Sequence, residues 1–166
     1  NAFYYSRELT FNRRWGDAIT SLNKYLAMPQ ATWPNERCYA MRLLGQSHAE
    51  LKQDWAALKW LRLACAEAPD TREPWVELAM FCYRASMWPE CYAAALSALA
   101  ITNKAAVYTM DPSVWTEKPY DLASIACWHL GMKDKAVEYC KQALEFNPSD
   151  ARLIKNLEQM TEEQHV

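Results

Sequence analysis

The chain is poor in the features that mark most enzymes and most β-proteins. It has only three glycines in 166 residues, against 51% apolar residues. That combination excludes both disorder and an architecture of strands joined by tight turns. No glycine-rich phosphate loop and no G-x-S-x-G elbow is present. The aspartates Asp70, Asp111 and Asp121 are isolated, and none forms a D-x-D pair. The six cysteines contain no C-x-x-C, and no histidine has a ligating residue three or four positions on. His129, for example, meets Met132 and Lys133 at those offsets. No apolar run reaches the ~18 residues of a membrane span, and no signal-peptide pattern is seen. Net charge is −2 without blocks of one sign, so neither nucleic acid nor an anionic membrane has an electrostatic handle. The sequence thus predicts no metal, no cofactor and no catalysis within these residues, with the cysteines as reduced core thiols of a cytoplasmic protein.

What the chain does have is a rhythm. Ala57-x6-Ala64-x4-Pro69 returns as Ala136-x6-Ala143-x4-Pro148, and Cys91-x6-Ala98 lies between, 34 residues after the first. Ala18 opens a more degenerate copy. A period near 34 with small residues at fixed positions signals stacked helical hairpins. Numbering the second copy from Cys38, Met41, Leu44, Gly45, His48, Ala57, Leu61, Ala64 and Pro69 fall at positions 4, 7, 8, 11, 20, 24, 27 and 32. These positions resemble the tetratricopeptide pattern. The resemblance implies an all-α, right-handed α-solenoid of about four hairpins, over residues 3–30, 38–71, 72–103 and 117–150, with a cap helix at 151–163. Nine helices follow. Small residues at positions 8 and 20 let the paired helices touch, and proline at 32 ends the second helix.

The spacing breaks twice, leaving insertions around 31–35 and 103–113. The second is apolar and is expected to pack on the array. Asn1-Ala2, standing where Met is usual, reads as a cloning remnant on a fragment and is left out of the fold. In the cap helix Leu153, Ile154, Leu157 and Met160 fall on one side. Of the eight tryptophans, Trp15, Trp55, Trp75 and Trp88 are expected in the core, leaving Trp33, Trp60, Trp115 and Trp128 free for binding.

In tetratricopeptide arrays, positions 2, 5, 6, 9, 12 and 13 of each first helix line a concave groove. Carried over, these are Phe3, Tyr4, Arg7 and Phe11; Tyr39, Arg42, Leu43 and Gln46; Glu73, Val76, Glu77, Met80, Tyr83 and Arg84; then Asp121, Leu122, Ile125 and Trp128. Tyr, Trp, Met and Arg are the types that carry interface energy. The Lys/Asn clamp that grips a terminal carboxylate is missing: its positions read Phe3/Arg7, Arg42/Gln46, Val76/Met80 and Asp121/Ile125. Chaperone-tail binding is therefore disfavoured, whereas Arg7, Arg42 and Arg84 suit an acidic partner. Contact of some of these residues with the 103–113 insertion or the cap helix is the competing expectation.

Four stretches carry a narrower likeness: Tyr4–Leu9, Ala31–Arg37, Tyr108–Pro112 and Asp121–Gly131. Together they resemble the tetratricopeptide region that follows family 2 (GT-A) glycosyltransferase domains in bacteria and phages. The resemblance implies an upstream catalytic domain, with this region positioning an acceptor or mediating self-association as a homo-oligomer. The alternative is a free-standing scaffold that binds a protein or peptide in its groove.

Overall fold

The computed structural model describes residues 1–104 and 110–163. Among the described residues there are nine α-helices, one 3₁₀ turn and no strand. The helices are α1 (Ala2–Phe11), α2 (Trp15–Leu26), α3 (Pro34–Glu50), α4 (Asp54–Glu67), α5 (Arg72–Arg84), α6 (Trp88–Leu99), α7 (Lys118–His129), α8 (Lys133–Phe146) and α9 (Ala151–Glu162). They form two compact units, one holding α1 to α4 and the other α6 to α9 with most of α5.

Each hairpin turns in the same way, which the sequence showed at only one place. Arg13, Lys52, Ser86 and Gly131 all stand at position 15, and all have positive φ, between 56° and 77°. The residue after each donates its N–H five residues back, Arg14 to Leu9, Gln53 to His48, Met87 to Cys82 and Met132 to Cys127, at 2.8–2.9 Å. This is the left-handed helix stop, a conformation that glycine adopts freely and an L-residue only at ~1–2 kcal/mol. Gly131 is thus one of four equivalent stops.

Close approach explains the small residues. A β-carbon built on Gly45 would lie 2.8 Å from Cγ of Leu61 and 3.5 Å from the carbonyl of Ala57. In the last hairpin Ser124 (position 8) donates its hydroxyl to the carbonyl of Ala136 (position 20) at 2.7 Å. Ala18, Ala57, Cys91 and Ala136 are all 0% exposed. Proline works as expected where it occurs: Ala68 and Asn147, each before a proline, are driven to φ near −135° and end α4 and α8.

In the first unit Phe3 is fully buried, its ring 5.4–5.7 Å from those of Tyr4, Tyr25 and Tyr39. Tyr25, bulky where the repeat has a small residue, is buried and donates its hydroxyl to Glu36. Of the 31–35 insertion, residues 31–33 connect α2 to α3, and Pro34 and Asn35 begin an extra first turn of α3. Arg37 on that turn donates to Glu67 at 2.6 Å and to the carbonyls of Leu26 and Ala31 at 3.3 and 3.1 Å. One guanidinium therefore ties α2, α3 and α4 together. Asn1, which the sequence reading set aside, caps α1: its side chain accepts from the Phe3 N–H at 3.1 Å.

In the second unit Cys127, Ala136, Val137, Cys140 and Met160 form a core. All six cysteines are buried, and none is in a disulfide. Several thiols bond the next helix, as Cys140 does the carbonyl of Leu153 at 3.5 Å. The described flank of the 103–113 insertion packs on α7 through a 3₁₀ turn, Pro112–Trp115, in which Val114 is buried. Tyr108 and Thr109 lie outside the described residues, with 105–107. Asp150 caps α9, accepting from Arg152 and Leu153. Leu153 and Met160 are buried and Leu157 half-buried, but Ile154 is 39% exposed, one residue off the buried stripe.

One expectation fails clearly. Trp55 is 83% exposed, not core. Trp15 and Trp88 begin their helices, whereas Trp55 is the second residue of α4. One helical residue is a rotation of about 100°, enough to carry the indole from the hairpin turn out to solvent.

Candidate functional site

Of the candidate groove residues of the first unit, Tyr4 and Phe11 on α1 and Gln46 on α3 are exposed, Arg7 and Tyr39 are half-buried, and Phe3, Arg42 and Leu43 are buried. Arg7 sits over the rings of Tyr4 at 4.8 Å and Phe11 at 5.6 Å. Arg42 lies 4.9 Å from the centre of the Tyr39 ring and is only 8% exposed. Both guanidiniums thus lie within cation–π distance of aromatic rings. Phe3 joins the two helices from beneath, through its contact with Tyr39. Nε of Arg7 is buried and has no hydrogen-bond partner, while its Nη2 lies 3.8 Å from the Glu8 carboxylate and the side chain as a whole is 26% exposed. Tyr4 and Phe11 are 41% and 60% exposed, and Gln46 is exposed. Leu43 is buried and belongs to the core.

The first unit also contains a cleft of about 430 Å³ that the sequence did not reveal. It lies beside the Tyr25–Glu36 hydrogen bond and is bordered by Asn1, Met28 and Gln30. Burial and the Glu36 carboxylate together push the Tyr25 hydroxyl well above the ordinary tyrosine range.

Near the start of α5, Arg72 and Glu73 are buried, and Val76 is too. Glu77 and Met80 are half-buried; Tyr83 and Arg84 are exposed. Asp121 is engaged by the cap helix: Arg152 reaches both its carboxylate oxygens, at 3.1 and 2.7 Å. That hydrogen-bonded pairing raises the Arg152 guanidinium further above its ordinary pKa. Trp128 packs on the core that holds Met160, with the Lys133 ammonium 5.3 Å from its ring. Leu122 is buried and Ile125 half-buried. The structure thus brings Asp121 and Trp128 together with α8 and α9, and leaves Phe11 and Gln46 exposed and Arg7 half-buried beside Glu8.

Of the tryptophans set aside for binding, Trp33 is 41% exposed at the start of α3, and Trp60 is half-buried between two clusters of the first unit. Trp115 is half-buried with the Lys104 ammonium 5.9 Å away. The histidines have structural partners: His48 pairs with Gln53 at 2.6 Å, and the His129 ring stacks on Trp88 at 3.9 Å. His165 lies outside the described residues. Among the described residues no group of three His, Cys, Asp or Glu side chains is placed to hold a metal ion. No described helix is long and apolar enough to cross a membrane.

No family model matches the chain, and no curated protein does. Solved structures do. A crystal structure of MamA is similar over 96% of this chain and 84% of its own, with TM-score 0.75 at 17% identity. The fold is that of a tetratricopeptide-repeat solenoid. The Arabidopsis OM64 tetratricopeptide domain matches over 81% of this chain and all of its own, with TM-score 0.66 at 14% identity. The first tetratricopeptide domain of Spaghetti (RPAP3), bound to the HSP90 peptide SRMEEVD, matches over 80% and 96%, with TM-score 0.67 at 13% identity. At such identities the tetratricopeptide likeness concerns the fold.

Proposed function

We propose that this is a non-catalytic protein-interaction domain whose ligand lies on the exposed side of α1 and α3, and that it works in the cytoplasm. The observation that carries the reading is Arg7. Its guanidinium is braced by two aromatic rings, and its buried Nε–H has no partner. A desolvated donor left unbonded costs ~1–3 kcal/mol, which a carboxylate or carbonyl of a ligand recovers. Tyr4, Phe11, Tyr39 and Gln46 supply apolar faces and an amide around it. The RPAP3 domain, a fold neighbour, holds an acidic peptide. In the second unit, Glu77, Met80, Tyr83 and Arg84 of α5 are candidates on their own.

The test is anisotropy titration of a labelled acidic peptide with an amidated C-terminus. Saturable binding that falls at least tenfold in Arg7→Glu, without a change in melting temperature, supports the reading. Equal binding of a lysine-rich peptide refutes it.

A finer reading makes this the accessory region of a family 2 glycosyltransferase, positioning an acceptor or joining copies of the enzyme. It rests on the four quoted stretches alone. In one of them, Ala31–Arg37, the structure gives Glu36 and Arg37 packing roles. Reading the native gene upstream of Phe3 decides it: a domain of about 200 residues with a D-x-D motif is required, and a nearby start codon ends the idea.

A further inference from the structure

The second helices of the hairpins bury alike residues on their inner side, Ala18, Ala57, Cys91 and Ala136, but differ on their outer side. Positions 18 and 22 are exposed in all four. They read Gly16 and Thr20 in α2, Trp55 and Lys59 in α4, Pro89 and Ala93 in α6, and Asp134 and Glu138 in α8. At about 100° per residue, Arg62 and Leu63 fall on the same stripe of α4 as Trp55 and Lys59. All four are exposed, Trp55 by 83% and Leu63 by 40%. No carboxylate shares that stripe: Asp54 lies a rotation of about 100° from Trp55, and Glu67 is turned to Arg37.

The stripe of α8 is the converse. Glu145 joins Asp134 and Glu138 on it, and Lys141 is its one cation. Lys133 and Lys135, one residue to either side of Asp134, fall about 100° off the stripe. Lys133 is engaged with the Trp128 ring and the Glu163 carbonyl, 5.3 and 3.5 Å away. At the end of the helix Phe146 is 50% exposed, its ring stacked on that of Tyr120 at 5.5 Å. That stacking holds an open aromatic shelf beside Glu145. Neither Trp55 nor Phe146 stands at a groove position or on a terminal helix, so the stacking of hairpins accounts for neither exposure.

We propose that the outer face of α4 binds the outer face of α8 in a second copy of this chain. Charge complementarity names the occupant: a cationic stripe with an exposed indole and an acidic stripe with an exposed phenyl ring stand at the same repeat positions of one sequence. Antiparallel pairing with Trp55 opposite Phe146 sets Lys59 opposite Gln142, one turn from both Glu138 and Glu145, and sets Arg62 beside Glu138. Lys141 weakens this attraction without cancelling it, because two carboxylates flank Lys59. The two rings supply the desolvated anchor, and the ion pairs set the direction of the helices. Since the two faces are unlike, contacts run head to tail into a chain or a ring. A single helix pair is at the small, weak end of interfaces, so the association is salt-sensitive and needs concentrated protein.

The test is light scattering over a concentration series at low salt. The parent is expected to reach about twice the mass of one chain or more at ~1 mM protein, and to fall back toward one chain in ~0.5 M NaCl. Trp55→Ala/Lys59→Glu and Glu138→Lys/Glu145→Lys are each expected to stay single chains, with melting temperatures near the parent's because all four positions are exposed. Mixed in equal amounts, the two variants are expected to form a dimer and nothing larger, since only one intact pair of faces remains between them. A parent that stays a single chain at that concentration overturns the proposal. So does a mixture that fails to pair, or a Glu138→Lys/Glu145→Lys variant that associates like the parent, which would give the contact to two α4 faces. Arg7 is intact in both variants, so the outcome is independent of the reading of α1 and α3 above.

Discussion

Gly45→Ala is the sharpest probe of how the hairpins close. The added methyl would sit 2.8 and 2.9 Å from Cγ and Cδ2 of Leu61, well inside contact distance. Leu61 is itself only 4% exposed, so it has little room to rotate away. Overpacking of this kind costs about 1–3 kcal/mol. Replacing glycine by alanine within a helix returns about 1 kcal/mol. The net expectation is a loss of ~0–2 kcal/mol, the opposite of the gain that helix propensity alone predicts. Leu61→Ala by itself opens a cavity and costs about 2–5 kcal/mol. The double variant recreates the Ala79/Ala95 pair of the third hairpin, in which both residues are fully buried. There the new methyl occupies part of the vacated space, so the double variant is expected to be more stable than the sum of the singles by ~1–2 kcal/mol. Urea unfolding with unchanged slope reads all four corners of the cycle. A Gly45→Ala protein more stable than the parent, or strict additivity, would show that the two helices do not meet at this point.

Other expectations follow from the turns, the clamp and the thiols. Ser86→Gly and Lys52→Gly relieve left-handed residues and are expected to stabilise by ~0.5–1 kcal/mol, while Gly131→Ala costs about 1 kcal/mol; thermal melts check the signs. Arg37→Ala leaves Glu67 half-buried and two carbonyls unbonded, and a loss of about 2 kcal/mol or more in denaturant unfolding is expected. Burial raises the Cys91 thiol from 9.0 to about 11, so the folded chain holds a proton that the unfolded chain releases. Stability from this group is complete below pH 9 and is lost as pH rises through 11. Cys91→Ala matches Ala18, Ala57 and Ala136 at the same position; it should cost under ~1 kcal/mol and flatten the loss of stability between pH 9 and 11 seen in the parent by alkaline urea titration.

Much of the architecture was legible because small residues repeat where backbones must meet. Ala57, Ala136 and Gly45 announce close contacts regardless of their surroundings, and Pro69 and Pro148 announce helix ends through their own covalent geometry. The turns were less legible. Arg13, Lys52 and Ser86 carry no outward sign of a left-handed conformation, because the flanking hydrogen bonds impose it at a cost that the side chain does not advertise. Trp55 was misplaced because one residue of phase decides whether an indole faces a hairpin or solvent. For the candidate site, residue types pointed to Arg7, Arg42 and Tyr39. Only the packed structure shows Arg7 braced between Tyr4 and Phe11, and Asp121 held by Arg152.

The sequence by itself determined the number of hairpins, their small-residue contacts and the terminal helix, since these depend on local volume and backbone chemistry. Tertiary structure alone decided which faces are used and which stay open. Tyr5 and Leu44 occupy the same repeat position, yet one is exposed and the other buried. Burial is a property of the neighbouring helix, which no residue encodes by itself.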